Sequence, residues 1–335
     1  MLRFFLAPLV FSLVALVCGL LIGGGQAAWI VLALAGLESA LSFDNAVVNA
    51  RLLAQMDAVW RRRFLVWGMF VAVFLMRLVF PILLVAIASG IGPVATVRIA
   101  IESPHLYAAL LMGAHDQIAG FGGAFLLLVF LRFFTDSEKQ THWLARIELL
   151  LARLGKLNAV EIALTLIAVL LVASWLPSGR AASFVLAGVW GVVSFVLVDG
   201  LSGLLGEGGG VEATARNGLA GFLYLEALDA SFSFDGVIGA FALSHNLLLI
   251  ALGLGAGAMF VRGFTLMMVE QGTLNRYRYL EHGAFWAIGA LAAIMLLGVK
   301  VEVPEVLTGG IGLVLIGLSW WTSLRRLQLE AAQSD

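Results

Sequence analysis

Two stretches of the chain decide its architecture: residues 37–47, Leu-Glu-Ser-Ala-Leu-Ser-Phe-Asp-Asn-Ala-Val, and residues 228–238, Leu-Asp-Ala-Ser-Phe-Ser-Phe-Asp-Gly-Val-Ile. At a constant offset of 191 residues, Leu, Ser, Phe and Asp recur, and Glu38 of the first copy matches Asp229 of the second. Both copies have the pattern L-[DE]-x-x-x-S-F-D. An internal repeat is the economical explanation.

The composition places both copies in a membrane. Hydrophobic residues make up 61% of the 335 residues, charged residues only 12%, and the mean hydropathy is +1.02. So few charges cannot cover the surface of a folded or disordered chain in water. The net charge of -1 provides no bulk positive field for nucleic acid. The single cysteine, Cys18, excludes an internal disulfide and a Cys-based metal cage.

Apolar runs of this length must be helices, because backbone groups cannot stay unpaired in hydrocarbon and each crossing needs about 20 apolar residues. We predict an all-α, polytopic transmembrane helix bundle that forms a single integral membrane domain over residues 1–335. It has about ten helices, at 4–24, 27–50, 64–90, 105–134, 158–176, 181–205, 218–243, 246–270, 283–299 and 305–325.

The basic residues predict the orientation, since short cytoplasmic loops carry the Lys and Arg excess. With ten helices, fifteen of the twenty basic residues fall on the side of the N-terminus, three on the other side and two within helices. Both termini are therefore predicted to be cytoplasmic, in a multi-pass protein of the bacterial inner membrane. A signal peptide is the alternative for the first segment, but no convincing cleavage site follows it.

Residues 135–157 are the longest polar stretch, and their leucines recur at helical spacing among basic residues. The pattern predicts a cytoplasmic amphipathic linker that lies on the membrane interface. A gating role and a plain linker with an apolar face are both compatible with it.

Five helices separate the two acidic copies, and an odd number reverses the direction of crossing. The repeat is therefore predicted to be inverted, with halves at about 27–134 and 218–299. Inverted repeats are a recurring transporter plan, with the substrate site at the repeat interface near the bilayer midplane. Glu38 and Asp229 each fall near the middle of their predicted helices.

Spacing within each copy leaves one question open. Helical periodicity puts Glu38, Ser42 and Asn45 on one face, and likewise Glu226, Asp229 and Ser233. The final acids, Asp44 and Asp235, lie about 120° away from that face. Either each helix is unwound near Ser-Phe-Asp, or the two acids of a copy face different partners. For Ser42 and Ser233, bonding to a carbonyl one turn earlier is the alternative to a ligand role.

Acids inside membrane helices are costly and are functional candidates by default. Carboxylates with hydroxyl and amide oxygens suit hard divalent cations. We predict a metal site at Glu38, Asp44, Asp229 and Asp235. Candidate additional ligands or relay groups are Ser42, Asn45, Ser233, Glu226, His115 and Asp116.

Two arginines lie inside predicted helices, Arg77 and Arg262. Each follows an acidic helix, so we predict that they compensate charge when the site is empty. Snorkelling to the interface is the alternative. For His115 and Asp116, the alternative is a packed polar turn, and the glycines at 120, 122 and 123 would permit close helix packing.

Glu38 with Ser42-Phe43-Asp44-Asn45, and Glu226 through Asp229 to Phe234-Asp235, resemble the TerC family of integral membrane proteins, particularly its uncharacterised-domain branch. The resemblance implies an association with tellurium resistance and, as in several members, manganese export. It assigns the cation site to Glu38, Asp44, Asp229 and Asp235. The chain departs from common members in its ten predicted helices and in Gly236.

The leading hypothesis is therefore a membrane transporter of a divalent metal cation, with manganese efflux by alternating access at a midplane acidic site. The alternative is a non-transporting TerC-like scaffold that aids metallation or assembly of other proteins. Neither Gly-x-Gly-Asp nor His-Glu-x-x-His occurs, so we do not expect an enzyme. The expected partners are a metal ion, the lipid bilayer and other membrane proteins or further copies of the chain, with no prosthetic group.

Overall fold

The structure, a computed structural model, describes residues 2–68, 70–205, 218–301 and 303–334, and these residues contain helices and no strand. The first half comprises α1 (Leu2–Leu41), α2 (Phe43–Gln55), α3 (Ala58–Arg63), two π-helical segments (Phe64–Gly68 and Val71–Val79), α4 (Phe80–Ser89), α5 (Pro93–Glu102), α6 (Pro104–Gly113) and α7 (His115–Phe134). The second comprises α8 (Ala145–Leu154), α9 (Val160–Ala173), α10 (Ser178–Leu205), α11 (Gly218–Leu243), α12 (Leu247–Glu270), α13 (Thr273–Arg276), α14 (Leu280–Gly298) and α15 (Glu305–Ser334). The all-α prediction is confirmed.

Six described helices are long and apolar enough to cross a bilayer: Arg3–Leu41, His115–Phe134, Ser178–Gly200, Leu247–Glu270, Leu280–Gly298 and Leu307–Ala332. The pair Phe74–Ser89 and Pro93–Glu102, bent by 112°, would make a seventh. Ten were predicted. The differences fall at α1, which is broken at Gly23 and Gly24 and counts as one span where two were predicted, at α9, which has only 14 residues, and at α11, which carries the second acidic copy.

The predicted single helix at 105–134 is wrong. The amide of Ala114 donates to the carbonyls of both Leu110 and Leu111, and this tighter turn separates α6 from α7. Upstream, Pro93 and Pro104 occupy the first positions of α5 and α6. Proline fits the start of a helix because it lacks the amide hydrogen, and it cannot continue a preceding helix.

α1 is a hairpin of two arms. Gly23 and Gly24 leave the helical conformation, and Gly24 has a φ of +66°, which favours glycine. The ring of Phe5 packs near the C-terminal end of α12, 5.2 Å from that of Phe264, whereas Leu34 and Glu38 touch Gly253 and Gly257. The second arm of α1 therefore runs parallel to α12 and the first arm runs antiparallel to it, so the two arms run in opposite directions.

The rest of the bundle packs around α7. Its neighbours are α10 and α14, and its side chains Phe125, Leu126 and Leu128 are fully buried. A Cβ added at Gly120 would lie 2.8 Å from the carbonyl oxygen of Phe184. The prediction that glycines here permit close helix packing is thus confirmed for that position.

The polar segment after α7 contains one helix, α8. Its side chains Ile147, Leu149 and Leu150 are exposed, while Glu148 is buried. A helix that exposes its apolar side chains and buries an acid is typical of one resting on lipid. That α8 lies on the cytoplasmic interface stays a prediction.

Candidate functional site

The first acidic copy spans the junction of α1 and α2. α1 ends at Leu41 and α2 begins at Phe43, yet the amide of Ser42 still donates to the carbonyl of Glu38 at 3.0 Å. The Ser42 hydroxyl lies 3.2 Å from the Glu38 carboxylate. Ser42 therefore contacts the acid itself, in addition to the backbone turn, and the interruption is only one residue long.

A single arginine joins the two acidic copies. The guanidinium of Arg77 donates to Glu38 Oε1 at 2.6 Å and to Asp229 Oδ2 at 3.3 Å. Arg77 and Glu38 are each 3% exposed, and Arg77 lies in the π-helical segment Val71–Val79. π-Helical turns are frequent at functional sites. The predicted pairing of Arg77 with the acids is observed as a contact between three separate chain segments.

A small cavity of about 30 Å³ adjoins this triad. That volume accommodates one or two water molecules or a partly hydrated ion. A Cβ at Gly236 would lie 2.9 Å from Glu38 Oε2, which gives a steric reason for glycine after the second Phe-Asp. The polar residues that line the cavity are Glu38, Ser42, Asp44, Asn45 and Thr308.

Asp44 belongs to the same cavity as Glu38. It is 6% exposed, and one carboxylate oxygen accepts the Asn45 amide at 2.9 Å. The two acids of the first copy therefore share one cavity although helical periodicity separates them. In the second copy α11 runs through without a break.

The remaining acids of the second copy are only partly described. Glu226 is 8% exposed, its Oε1 has no hydrogen-bond partner among the described residues, and it lies against Gly68. It does not line the cavity. Ser233 and Asp235 were also predicted as ligands. Their backbone belongs to α11, but their side chains lie outside the described residues.

Three other predicted residues lie elsewhere. Asp116 accepts a bidentate ion pair from Arg180, at 2.5 and 2.7 Å, and His115 lies 3.9 Å from Asp116. Neither lines the cavity, so they form a polar turn at a helix start. Arg262 makes no ion pair within the described part of the chain, and its buried Nη1 has no hydrogen-bond partner there.

Sequence reasoning missed a vestibule of about 850 Å³ that is lined by the loops after α7 and α8 and by parts of α2 and α14. Oppositely charged side chains form ion pairs along its wall. Arg51 lies at 2.6 Å from Glu281, and Arg132 lies at 3.0 Å from Glu161. Lys139 also lines it. The only signal in the sequence was the concentration of charges around helix ends.

Lys139 covers an aromatic surface inside this vestibule. Its Nζ lies 3.1 Å from the centroid of the Phe133 ring and has no hydrogen-bond partner among the described residues. Burial lowers the pKa of the Lys139 ammonium to about 7, although the nearby carboxylates of Glu148 and Glu281 oppose the shift. The lysine is therefore poised to lose its proton near neutral pH.

A different buried acid fixes α8 to the bundle. Glu148 is 1% exposed and accepts the amides of Trp143 and Leu144, the indole of Trp286 and a ring nitrogen contact from His282, all at 3.0–3.1 Å. Burial alone would raise the pKa of Glu148, but the contacts with His282, Leu144 and Trp286 lower it to about 2. Its acceptor capacity is filled by fixed donors.

No group of three or more His, Cys, Asp or Glu side chains that could hold a metal ion occurs within residues 2–68, 70–205, 218–301 and 303–334. The two central acids meet around Arg77 instead. The sequence model of one protein family matches residues 43–330 of the chain. That family is DUF475, described as a protein of unknown function. No curated protein and no solved structure matches the chain.

Proposed function

The chain belongs to the DUF475 family of proteins of unknown function, and we propose that it transports a divalent metal cation, with Mn²⁺ as the leading candidate. One observation carries the proposal: Glu38 and Asp229, from two copies of one motif, meet on Arg77 inside an apolar bundle. Charges in such a place are costly and mark ion pathways. The TerC-like pattern of the same residues favours manganese.

The ligand chemistry supports a hard cation. The cavity beside the triad offers the carboxylates of Glu38 and Asp44, the hydroxyl of Ser42 and the amide of Asn45. Oxygen sets of this kind suit Mn²⁺, Mg²⁺ and Ca²⁺. We include Asp235 in the proposed ligand set because it repeats Asp44 in the second copy.

Arg77 supplies the charge balance of the proposed cycle. With the cation absent, the guanidinium neutralises Glu38 and Asp229. When a divalent ion enters the cavity, it takes over the carboxylates and Arg77 is released. Protons could replace the ion on some of these acids after it leaves, which is the proposed basis of coupling to a proton gradient.

The proposed architecture is an inverted repeat within ten crossings. The ring of Phe222, near the start of α11, lies 6.3 Å from Trp60 and 6.1 Å from Phe64, and Glu226 lies against Gly68. The start of α11 thus runs beside residues 60–68 in the same direction. Because the chain turns at Met56 before α3, this supports opposite directions for α2 and α11.

The distribution of basic side chains supports cytoplasmic termini. Arg3 pairs with Glu270, Arg51 with Glu281, and Arg278 donates to Thr141, which brings the basic loops to the end of the vestibule. At the opposite end, Arg180 contacts the carbonyl of Val299. The proposed location is a bacterial inner membrane with the vestibule facing the cytoplasm, since Lys and Arg accumulate on that side.

Reconstituted vesicles test the proposal. We expect wild-type protein to move Mn²⁺ across the bilayer, with Mg²⁺, Ca²⁺ and Zn²⁺ compared in parallel with and without a pH gradient. Glu38→Gln and Asp44→Asn should reduce the flux to the level of empty vesicles, because each removes a ligand charge from the cavity.

Asp57→Asn is the matched control. Asp57 is an exposed cap whose oxygen accepts the Trp60 amide at 2.8 Å, and asparagine caps a helix equally well. Its flux should equal that of the wild type. The proposal would be removed if Glu38→Gln and Asp44→Asn both transported as fast as the wild type. It would also be removed if the wild type transported none of the four cations.

The scaffold alternative also has an observation in its favour, since a buried triad can serve structure alone. Arg77 already satisfies Glu38 and Asp229 without a metal. A scaffold would give stable protein with no flux for any cation, and Glu38→Gln would then impair only its folding or its partners.

A further inference from the structure

Two amide side chains on α2 are buried, and no described residue donates a hydrogen bond to the oxygen atom of either one. Asn45 is 4% exposed and Asn49 is 6% exposed, and the Oδ1 atom of each has no hydrogen-bond partner among the described residues. A buried acceptor without a donor is unfavourable, and each such group in a protein requires an explanation. A water molecule or a cation would satisfy these oxygens.

Along α2, the two asparagines lie between the residues that line the acidic cavity and those that line the vestibule. The acidic cavity reaches α2 as far as Asn45, and the vestibule reaches it at Val48, Arg51 and Leu52. Asn49 lies one helical turn beyond Asn45, about 6 Å along the axis. The flanking residues Ala46, Val47 and Ala50 are fully buried, so the turn between the cavities is otherwise closely packed.

We infer that Asn45 and Asn49 form a path of two amide oxygens, along which the cation passes between the acidic cavity and the vestibule. This inference rests on the proposed transport function. Asn49 Oδ1 takes over a coordination position from Asn45 Oδ1 as the ion moves. Two successive oxygen sites suit this step because conduction needs sites that an ion can both enter and leave.

The test separates passage from binding. Asn49→Leu removes the oxygen while keeping a side chain of similar length, and Asn49→Asp keeps an oxygen at this position. We expect Asn49→Leu to slow Mn²⁺ flux at least tenfold, to leave equilibrium Mn²⁺ binding within about twofold, and to leave the unfolding temperature unchanged or higher. Asn49→Asp should retain flux.

A purely structural amide gives the opposite pattern, in which Asn49→Leu lowers the unfolding temperature and does not slow flux. Thr265→Val is the control, because Thr265 is also buried and its hydroxyl donates only one turn back, to Val261 at 3.0 Å. It should transport normally.

The outcomes distinguish the two proposals. A wild-type protein that moves none of the four cations overturns the proposed function and this inference with it. A wild type that transports, with Asn49→Leu at the same rate or with Asn49→Leu and Asn49→Asp equally slow, overturns this inference alone.

Discussion

Glu38 and Glu148 are both almost fully buried carboxylates, at 3% and 1% exposure, yet their surroundings differ in kind. Glu148 is held by backbone amides, an indole and an imidazole that belong to packed elements. Glu38 is held chiefly by one charged group, the guanidinium of Arg77, with a longer contact from Ser42.

The difference separates an acid that fastens a helix from an acid that, in the proposed transport cycle, exchanges one cation for another. Four fixed donors leave Glu148 no capacity for another ligand, so its chemistry is to hold α8 on the bundle. A carboxylate balanced by one cation can accept another cation in its place, provided that the incoming ion matches its charge and fits the space. The adjoining cavity of about 30 Å³ gives Glu38 that space.

The largest expected effect comes from removing the positive charge of Arg77, which pairs with both central acids. Arg77→Gln leaves the buried Glu38 and the half-buried Asp229 without their guanidinium, and breaking a buried pair such as that with Glu38 typically costs about 3–5 kcal/mol. We expect a markedly lower unfolding temperature in detergent without metal. Addition of Mn²⁺ should restore much of it, because a ligand that binds only the folded state stabilises that state.

Arg180→Gln provides the comparison for Arg77→Gln. It breaks the ion pair with Asp116, which lies outside the cavity and has an exposed arginine. The loss of stability should be small and indifferent to Mn²⁺. Equal restoration of both variants by the metal would contradict the distinction drawn here.

Glu148→Gln should have a smaller effect. The glutamine amide turns one acceptor into a donor that faces other donors, and an unsatisfied buried group costs about 1–3 kcal/mol. Unfolding should occur at a lower temperature both with and without Mn²⁺, because the four donors around Glu148 leave it no position for a metal ion. Glu138→Gln, at an exposed position in the same segment, should have no measurable effect.

The last effect is confined to the segment around Lys139 and leaves the rest of the fold unchanged. Its pKa is about 7 when buried and about 10.5 when the segment opens, so opening should be favoured roughly tenfold for each unit that the pH falls between these values. Below pH 7 both forms are protonated and the trend should level off. Attraction to the Phe133 ring offsets part of the cost.

Hydrogen exchange of residues 135–144 between pH 6 and pH 9, corrected for the intrinsic exchange rate, measures this opening. Lys139→Met should abolish the pH dependence, since it keeps the apolar stem and removes the ionisable group. A slope that persists in Lys139→Met would assign the effect to another group, with Glu148, Glu281, Arg51 and Asp136 as the charged neighbours.

Much of the central site could be predicted because the bilayer penalises isolated charges. Glu38, Asp229 and Arg77 stood out in apolar runs, and the structure brings them into contact. His115 and Asp116 stood out in the same way, but their position near a helix start let Asp116 pair with Arg180 instead. Sequence could not separate these cases, since both are charges beside apolar residues.

Other features depended on contacts that no local pattern contains. The donors to Glu148 come from residues 143–144 and from 282–286, more than 130 positions later. The break at Ala114 arises within an apolar run that is long enough for one helix. The vestibule is bounded by several loops, so its existence follows only from their arrangement.

The amino-acid sequence by itself determined that the chain is helical, that it is suited to lipid and that two copies of one acidic segment place carboxylates within its apolar helices. Hydrophobicity, backbone hydrogen bonding and repetition depend on the order of residues along the chain, so they can be recognised without coordinates. Only the tertiary structure decided which charges pair and which groups hold each buried acid. Pairing is a matter of distance between segments, and that distance is set by how the helices pack.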